Sequence, residues 1–97
     1  MARKLTDDEL QKARGTHPKW RLSADGKGLE REFRFSGFNA AFGFMSQVAL
    51  ASERFNHHPE WSNIYNRVMI RWTTHSVDAV SDLDIKLIEK CENYANE

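Results

Sequence analysis

Three of the four histidines stand where a proton-transfer site would need them. His57 and His58 fall in Glu53-Arg54-Phe55-Asn56-His57-His58-Pro59-Glu60-Trp61, and His75 in Thr73-Thr74-His75-Ser76. Imidazole titrates near neutral pH, so it can give and take protons without a metal. Glu53 precedes His57 by four residues, one turn if the helix extends that far, and so is a candidate to orient an imidazole. Zinc is the competing chemistry, because three histidines suit a catalytic zinc. Adjacent residues project in different directions, however, and the chain has no His-x-His or His-x-x-x-His spacing, so no metal is expected. The plain structural alternative is a surface histidine or a helix-end cap. It fits His17, to which no role is assigned, better than it fits a His-His-Pro turn paired with a strand-end histidine.

The elements that must position these groups follow from periodicity. Thr6-Asp7-Asp8-Glu9 reads as a capping box opening a short helix to about Arg14, with a stop at Gly15. Trp20-Arg21-Leu22 is a short strand, and Asp25-Gly26 supplies hairpin-turn chemistry. From Leu29 to Phe35 the residues alternate, with Leu29, Arg31, Phe33 and Phe35 on one side. Residues 39–54 read as a helix that is apolar on most sides. Ser62–Tyr65 and Val68–Thr73 form a second hairpin turning at Asn66-Arg67, and Ser81 caps a last helix with Leu83, Leu87, Ile88 and Cys91 as its stripe. The expected fold class is α+β. It is a single domain over residues 1–97, in the order α-β-β-α-β-β-α, with a four-stranded antiparallel sheet and the helices packed on one face.

Composition narrows the function. Fourteen Lys+Arg balance fourteen Asp+Glu in 97 residues. That gives no basic field for direct nucleic-acid binding and no polybasic membrane anchor. No apolar run approaches the roughly 20 residues of a membrane helix. The single cysteine, Cys91, and a start without an apolar leader imply a reducing compartment, the cytoplasm. A helix covering a sheet needs only an apolar stripe, so the excess on the long helix predicts a second burial surface, most simply another copy of the chain. Phe44 and Met45 are the expected contact residues there.

Taken together, Glu53, His57-His58-Pro59, Tyr65, His75 and Asp84 at these spacings resemble the pterin-4a-carbinolamine dehydratase family. Phe38-Asn39, Ala41-Phe42-Gly43-Phe44-Met45 and Val48-Ala49-Leu50 resemble its long helix, and Trp61 with Asn63-Ile64-Tyr65-Asn66 its second hairpin. The resemblance runs from about Leu5 to Tyr94. It implies dehydration of 4a-hydroxytetrahydropterin to the quinonoid dihydropterin, which recycles the cofactor of aromatic amino acid hydroxylases, with no metal or organic cofactor. It implies a pocket around His57, His58 and His75, with Asn56, Thr73, Thr74 and Ser76 lining the pterin and Trp20, Glu53 and Asp84 nearby. Trp20 would flank the flat pterin or else belong to the core; Asp84 would serve the site or simply the helix dipole.

The chemistry asks for an acid and a base, assigned to His57 and His75, with His58 mainly binding. A homo-oligomer, dimer or tetramer, is implied through the helix over 39–54. Some animal members also bind the dimerisation domain of a homeodomain transcription factor through that helix. This is the alternative function, a binding role with Phe42, Phe44, Met45 and Leu50 as contacts, and it would add the nucleus to the cytoplasm as a location. Family members commonly carry Gly-Leu-Thr or Gly-Leu-Ser before the last helix, where this chain has Ala79-Val80-Ser81. Without the glycine, a different loop after His75 is expected.

Overall fold

The computed structural model describes residues 2–97. Helix α1 (Asp7–Thr16) precedes β1 (Arg21–Leu22) and β2 (Gly28–Arg34); helix α2 (Phe38–Phe55) precedes β3 (Glu60–Ile64) and β4 (Arg67–Thr73); a 3-10 turn (His75–Val77) leads to helix α3 (Asp82–Tyr94). The strands form one antiparallel sheet in the order β1-β2-β4-β3, so the two hairpins meet along β2 and β4. This is the expected architecture. Register places Leu29 opposite Trp72, Arg31 opposite Ile70 and Phe33 opposite Val68, and this row faces the helices.

The core is the apolar face of the sheet against α2 and α3: Leu29, Phe33, Val68, Ile70 and Trp72 below Ala41, Phe44, Val48, Leu87, Ile88 and Cys91. Burial pushes the Cys91 thiol up to about 12, so it packs as a neutral apolar group. Arg31 shares the apolar row because its guanidinium lies 3.9 Å over the Phe33 ring and is held by the Glu97 carboxylate.

Several boundaries differ from expectation. Helix α1 runs through Gly15 to Thr16. No left-handed cap forms at the glycine, because His17 closes the helix instead. Its N–H bonds the Ala13 carbonyl at 2.8 Å, and its Nδ1 meets Glu92 Oε1 of α3 at 2.8 Å. Of the two readings expected for His17, the helix-end cap holds and the surface residue does not, because its buried ring also links two helices. The β3–β4 turn is Tyr65-Asn66, one residue earlier than expected, with Ile64 facing Arg67. Tyr65 takes the left-handed angles (φ 52°), and asparagine side chains brace the turn. Asn63 Nδ2 donates to the carbonyls of Tyr65 and Arg67, and Asn66 Nδ2 donates to that of Phe35.

Helix α2 has two apolar faces. Ala41, Phe44, Val48 and Ala51 enter the core, whereas Phe38, Phe42 and Leu50 are 48%, 55% and 73% exposed. The excess apolar surface expected from the sequence is therefore real, but Phe44 does not belong to it and Met45 is half-buried against the core. Phe44 packs 4.7 Å from Phe33 and 5.0 Å from Phe35 between ring centroids. Phe44→Ala is expected to lower the unfolding free energy by about 3–5 kcal/mol, the usual cost of truncating a buried phenylalanine, as read from denaturant titration.

Candidate active site

The end of α2 turns His57 inward. After Phe55, Asn56 adopts left-handed angles (φ 49°, ψ 45°), which asparagine accepts more readily than most residues. The His57 N–H then reaches back to the Ser52 carbonyl at 3.0 Å, closing a Schellman end. The chain has left the helix axis before His57, so the helical turn expected between Glu53 and His57 does not form. Glu53 pairs with His58 Nε2 instead, and both side chains are more than half exposed. A pair this open to water contributes little to stability.

His57 lies flat against the core. Its ring stacks on Trp72 at 5.7 Å and 21°, its side chain is 11% exposed, and its Nε2 lies 2.6 Å from Asp84 Oδ1. Asp84 is fully buried at the third position of α3. Its other oxygen, Oδ2, accepts the Ser81 N–H and the Thr74 hydroxyl, each at 2.8 Å. A carboxylate facing Nε2 keeps the ring hydrogen there, which leaves Nδ1 on the far side of the imidazole for other chemistry. Asp84 thus does more than complement the helix dipole: it completes the capping box with Ser81 and orients His57.

His75 stands in the 3-10 turn directly after Thr74, beyond the end of β4. Its side chain is 84% exposed and its Nε2 is 3.1 Å from Glu60 Oε2. Glu60 Oε1 is in turn 3.1 Å from Arg71 Nε, and Arg71 also holds Asp25 Oδ2 at 3.0 Å. The Ser23 hydroxyl, the Lys27 N–H and Arg71 together keep Asp25 well below the usual carboxylate range. Glu60 was not singled out from the sequence. Extending the β3 alternation back to it would have put it opposite Arg71, on the open face of the sheet.

The remaining expected residues divide. Asn56 and Ser76 are exposed beside His57 and His75. The Thr73 and Thr74 hydroxyls are committed internally: Thr73 donates to the Lys27 carbonyl at 2.6 Å, and Thr74 to Asp84. Both hydroxyl hydrogens are thus spent inside the protein. Trp20 is a core residue, 3% exposed and edge-on to Phe33 at 5.6 Å, so no ring face is open to a flat ligand. No hydrogen bond joins the three imidazoles among the described residues; each has its own carboxylate. His57 and His75 are nonetheless brought to one end of the sheet, because Thr74 bonds the partner of His57 and directly precedes His75. In the loop after His75 the left-handed angles fall on Asp78 (φ 51°) and not on Ala79, and the Asp78 carboxylate holds Lys27 at 3.0 Å.

An α+β domain with a buried carboxylate behind one histidine and a second histidine at the same end of the sheet defines the class. Residues 3–94 match the family of pterin 4 alpha carbinolamine dehydratases. A Bordetella avium protein carrying the family's name is 43% identical over 95 residues, which span 98% of this chain and 88% of that one. A similarly named Prochlorococcus marinus protein is 48% identical over 80 residues, 82% of each chain. A crystal structure from Brucella melitensis, described as a transcriptional coactivator/pterin dehydratase, superposes with a TM-score of 0.92 at 41% identity, covering 96% of this chain and 99% of that one. The chain belongs to the pterin-4a-carbinolamine dehydratase family.

Asp84→Ala would leave the Ser81 N–H, the Thr74 hydroxyl and the His57 ring N–H without their acceptor inside the protein. With each orphaned buried donor costing about 1–3 kcal/mol, the expected loss of stability is about 3–5 kcal/mol. Thermal unfolding of the variant measures it, and an unchanged Tm would contradict this account of the site.

Proposed function

We propose that this chain dehydrates a 4a-hydroxytetrahydropterin to the quinonoid dihydropterin and water, and so recycles the pterin cofactor of aromatic amino acid hydroxylases. The observation that carries the reading is the 2.6 Å contact between His57 Nε2 and the buried Asp84 carboxylate. An imidazole held by one nitrogen presents the other in a fixed direction, which proton transfer requires. The reaction protonates the 4a-hydroxyl as the C4a–O bond breaks, and a proton leaves N5; water is the product and no electrons are exchanged. His57 Nδ1 and the exposed His75 ring form the proton-transfer pair, one giving and the other taking. His58 contributes mainly to binding. No step in this reading draws on a metal or an organic cofactor, and the protein works in the cytoplasm.

His57→Ala and His75→Ala are each expected to lower kcat by roughly 10²–10⁴-fold, the usual worth of general acid–base catalysis. The assay is turnover of a synthetic carbinolamine, corrected for the spontaneous reaction. His58→Ala should raise KM more than it lowers kcat. His17→Ala should leave kcat unchanged while lowering stability, since its ring joins α1 to α3. Wild-type kcat in both His57→Ala and His75→Ala would overturn the assignment.

The reading includes a homo-oligomer, dimer or tetramer, built on the exposed stripe of α2. Phe38 and Phe42, with ring centroids 5.8 Å apart, and Leu50 support it. The second reading, a partner helix from a transcription factor on the same stripe, draws on the description of the Brucella melitensis structure as a transcriptional coactivator. Phe42→Glu is expected to shift the protein to monomer in light scattering at micromolar concentration with its fold intact. A monomeric wild type would remove the self-association reading and leave the stripe to another partner.

A further inference from the structure

We infer that Thr74 and Ser81 are positioning residues for His57, acting through Asp84 to fix which nitrogen of the imidazole faces the reactant. The inference deepens the acid–base reading above and rests on it. Hydrogen-bond accounting carries the argument. Thr74 Oγ1 lies 2.8 Å from Asp84 Oδ2 and 2.7 Å from Ser81 Oγ, and all three residues are 4% exposed or less. A hydroxyl has one hydrogen to give, and the carboxylate can only accept. Thr74 therefore donates to Asp84, and Ser81 donates to Thr74.

The Ser81 oxygen keeps a lone pair, and the Leu83 N–H fills it at 3.2 Å. The direction of the chain is thus determined from end to end: Ser81 hydroxyl to Thr74 hydroxyl to Asp84 Oδ2, with Asp84 Oδ1 receiving His57 Nε2–H. Each donor in such a chain polarises the next, and none has water as a substitute partner at this burial.

Two consequences distinguish this from ordinary helix capping. A cap requires only the Ser81 oxygen and the Asp84 carboxylate, and makes no demand on Thr74. Yet Thr74 reaches Asp84 from another part of the chain, just beyond β4, and the residue after it is His75. Thr74 consequently ties the histidine oriented by Asp84 to the segment bearing the second histidine. The backbone supports this, since Thr74 N–H bonds the Ala79 carbonyl at 3.1 Å and closes the loop that carries His75.

The test is the tautomer of His57, read by nitrogen-15 NMR of the neutral ring in the wild-type protein and in variants. The wild type is expected to carry its hydrogen on Nε2. Thr74→Val, which keeps the shape and removes the hydroxyl, leaves Asp84 Oδ2 with the Ser81 N–H alone, so the carboxylate can turn away from Nε2; the Nδ1–H share should rise and kcat fall roughly 10-fold at unchanged KM, as loss of a partner behind a working histidine does. Thr74→Ser should restore both. Ser81→Gly, which retains the N–H to Asp84 and costs only a few tenths of a kcal/mol as a cap, should shift the tautomer in the same direction by less. An Nδ1–H tautomer in the wild type overturns the inference. So does a wild-type tautomer in Thr74→Val or, if that variant does not fold, in Ser81→Gly. A wild-type protein without dehydratase activity would sink the functional reading, while the tautomer would still decide this one.

Discussion

A carboxylate with no exposure to water must find all its partners inside the protein, and Asp84 imposes that condition on everything near it. Its partners come from three separate stretches: the Ser81 N–H at the start of α3, the Thr74 hydroxyl after β4, and the His57 ring after α2. The contact therefore does for the fold what it does for the site. It pins the end of α2 and the end of β4 to the first turn of α3, and in doing so directs one imidazole. The desolvation cost of the acid is offset by good geometry at both oxygens.

The histidines experience this constraint unequally. His57 is held between Trp72 and Asp84 with little freedom, whereas His58 and His75 pair with glutamates at the surface. An enclosed imidazole beside solvent-exposed ones would suit the proposed reaction, in which one proton moves along a fixed line and another exchanges with water. The charged groups around His75 extend this arrangement across the open face of the sheet. Arg71 joins Glu60, on the edge strand β3, to Asp25 in the β1–β2 turn, and Asp78 meets Lys27 from the same turn. Fixing that turn closes the sheet end on which His75 stands.

Helix α2 resolves a different conflict. In a chain of 97 residues a helix apolar on most sides has too little core to enter. The structure spends Ala41, Phe44, Val48 and Ala51 on the sheet and α3 and leaves Phe38, Phe42 and Leu50 outward. Core and surface are thus separated along one helix by angular position alone, which is why Phe44 and Phe42, two residues apart, have opposite fates.

Much of the molecule was legible from local pattern. Period-two alternation identified β2 and β4, the Thr6 and Ser81 caps located two helix starts, and the spacing of His57, His58, His75 and Asp84 carried the family. The caps and alternations live within a few residues of one another, where chemistry and periodicity act directly; the histidine and Asp84 spacing, spread over a longer stretch, was legible only as a resemblance. What lay beyond the sequence needed distance across the chain. The stop of α1 passed Gly15 because His17 docks on Glu92, and Glu53 lost His57 because Asn56 turned left-handed. Trp20 entered the core, and Thr74 spent its hydroxyl on a carboxylate ten residues away. A side chain's partner is set by where burial leaves no water to compete, and that is a property of the packed tertiary structure, not of spacing along the chain.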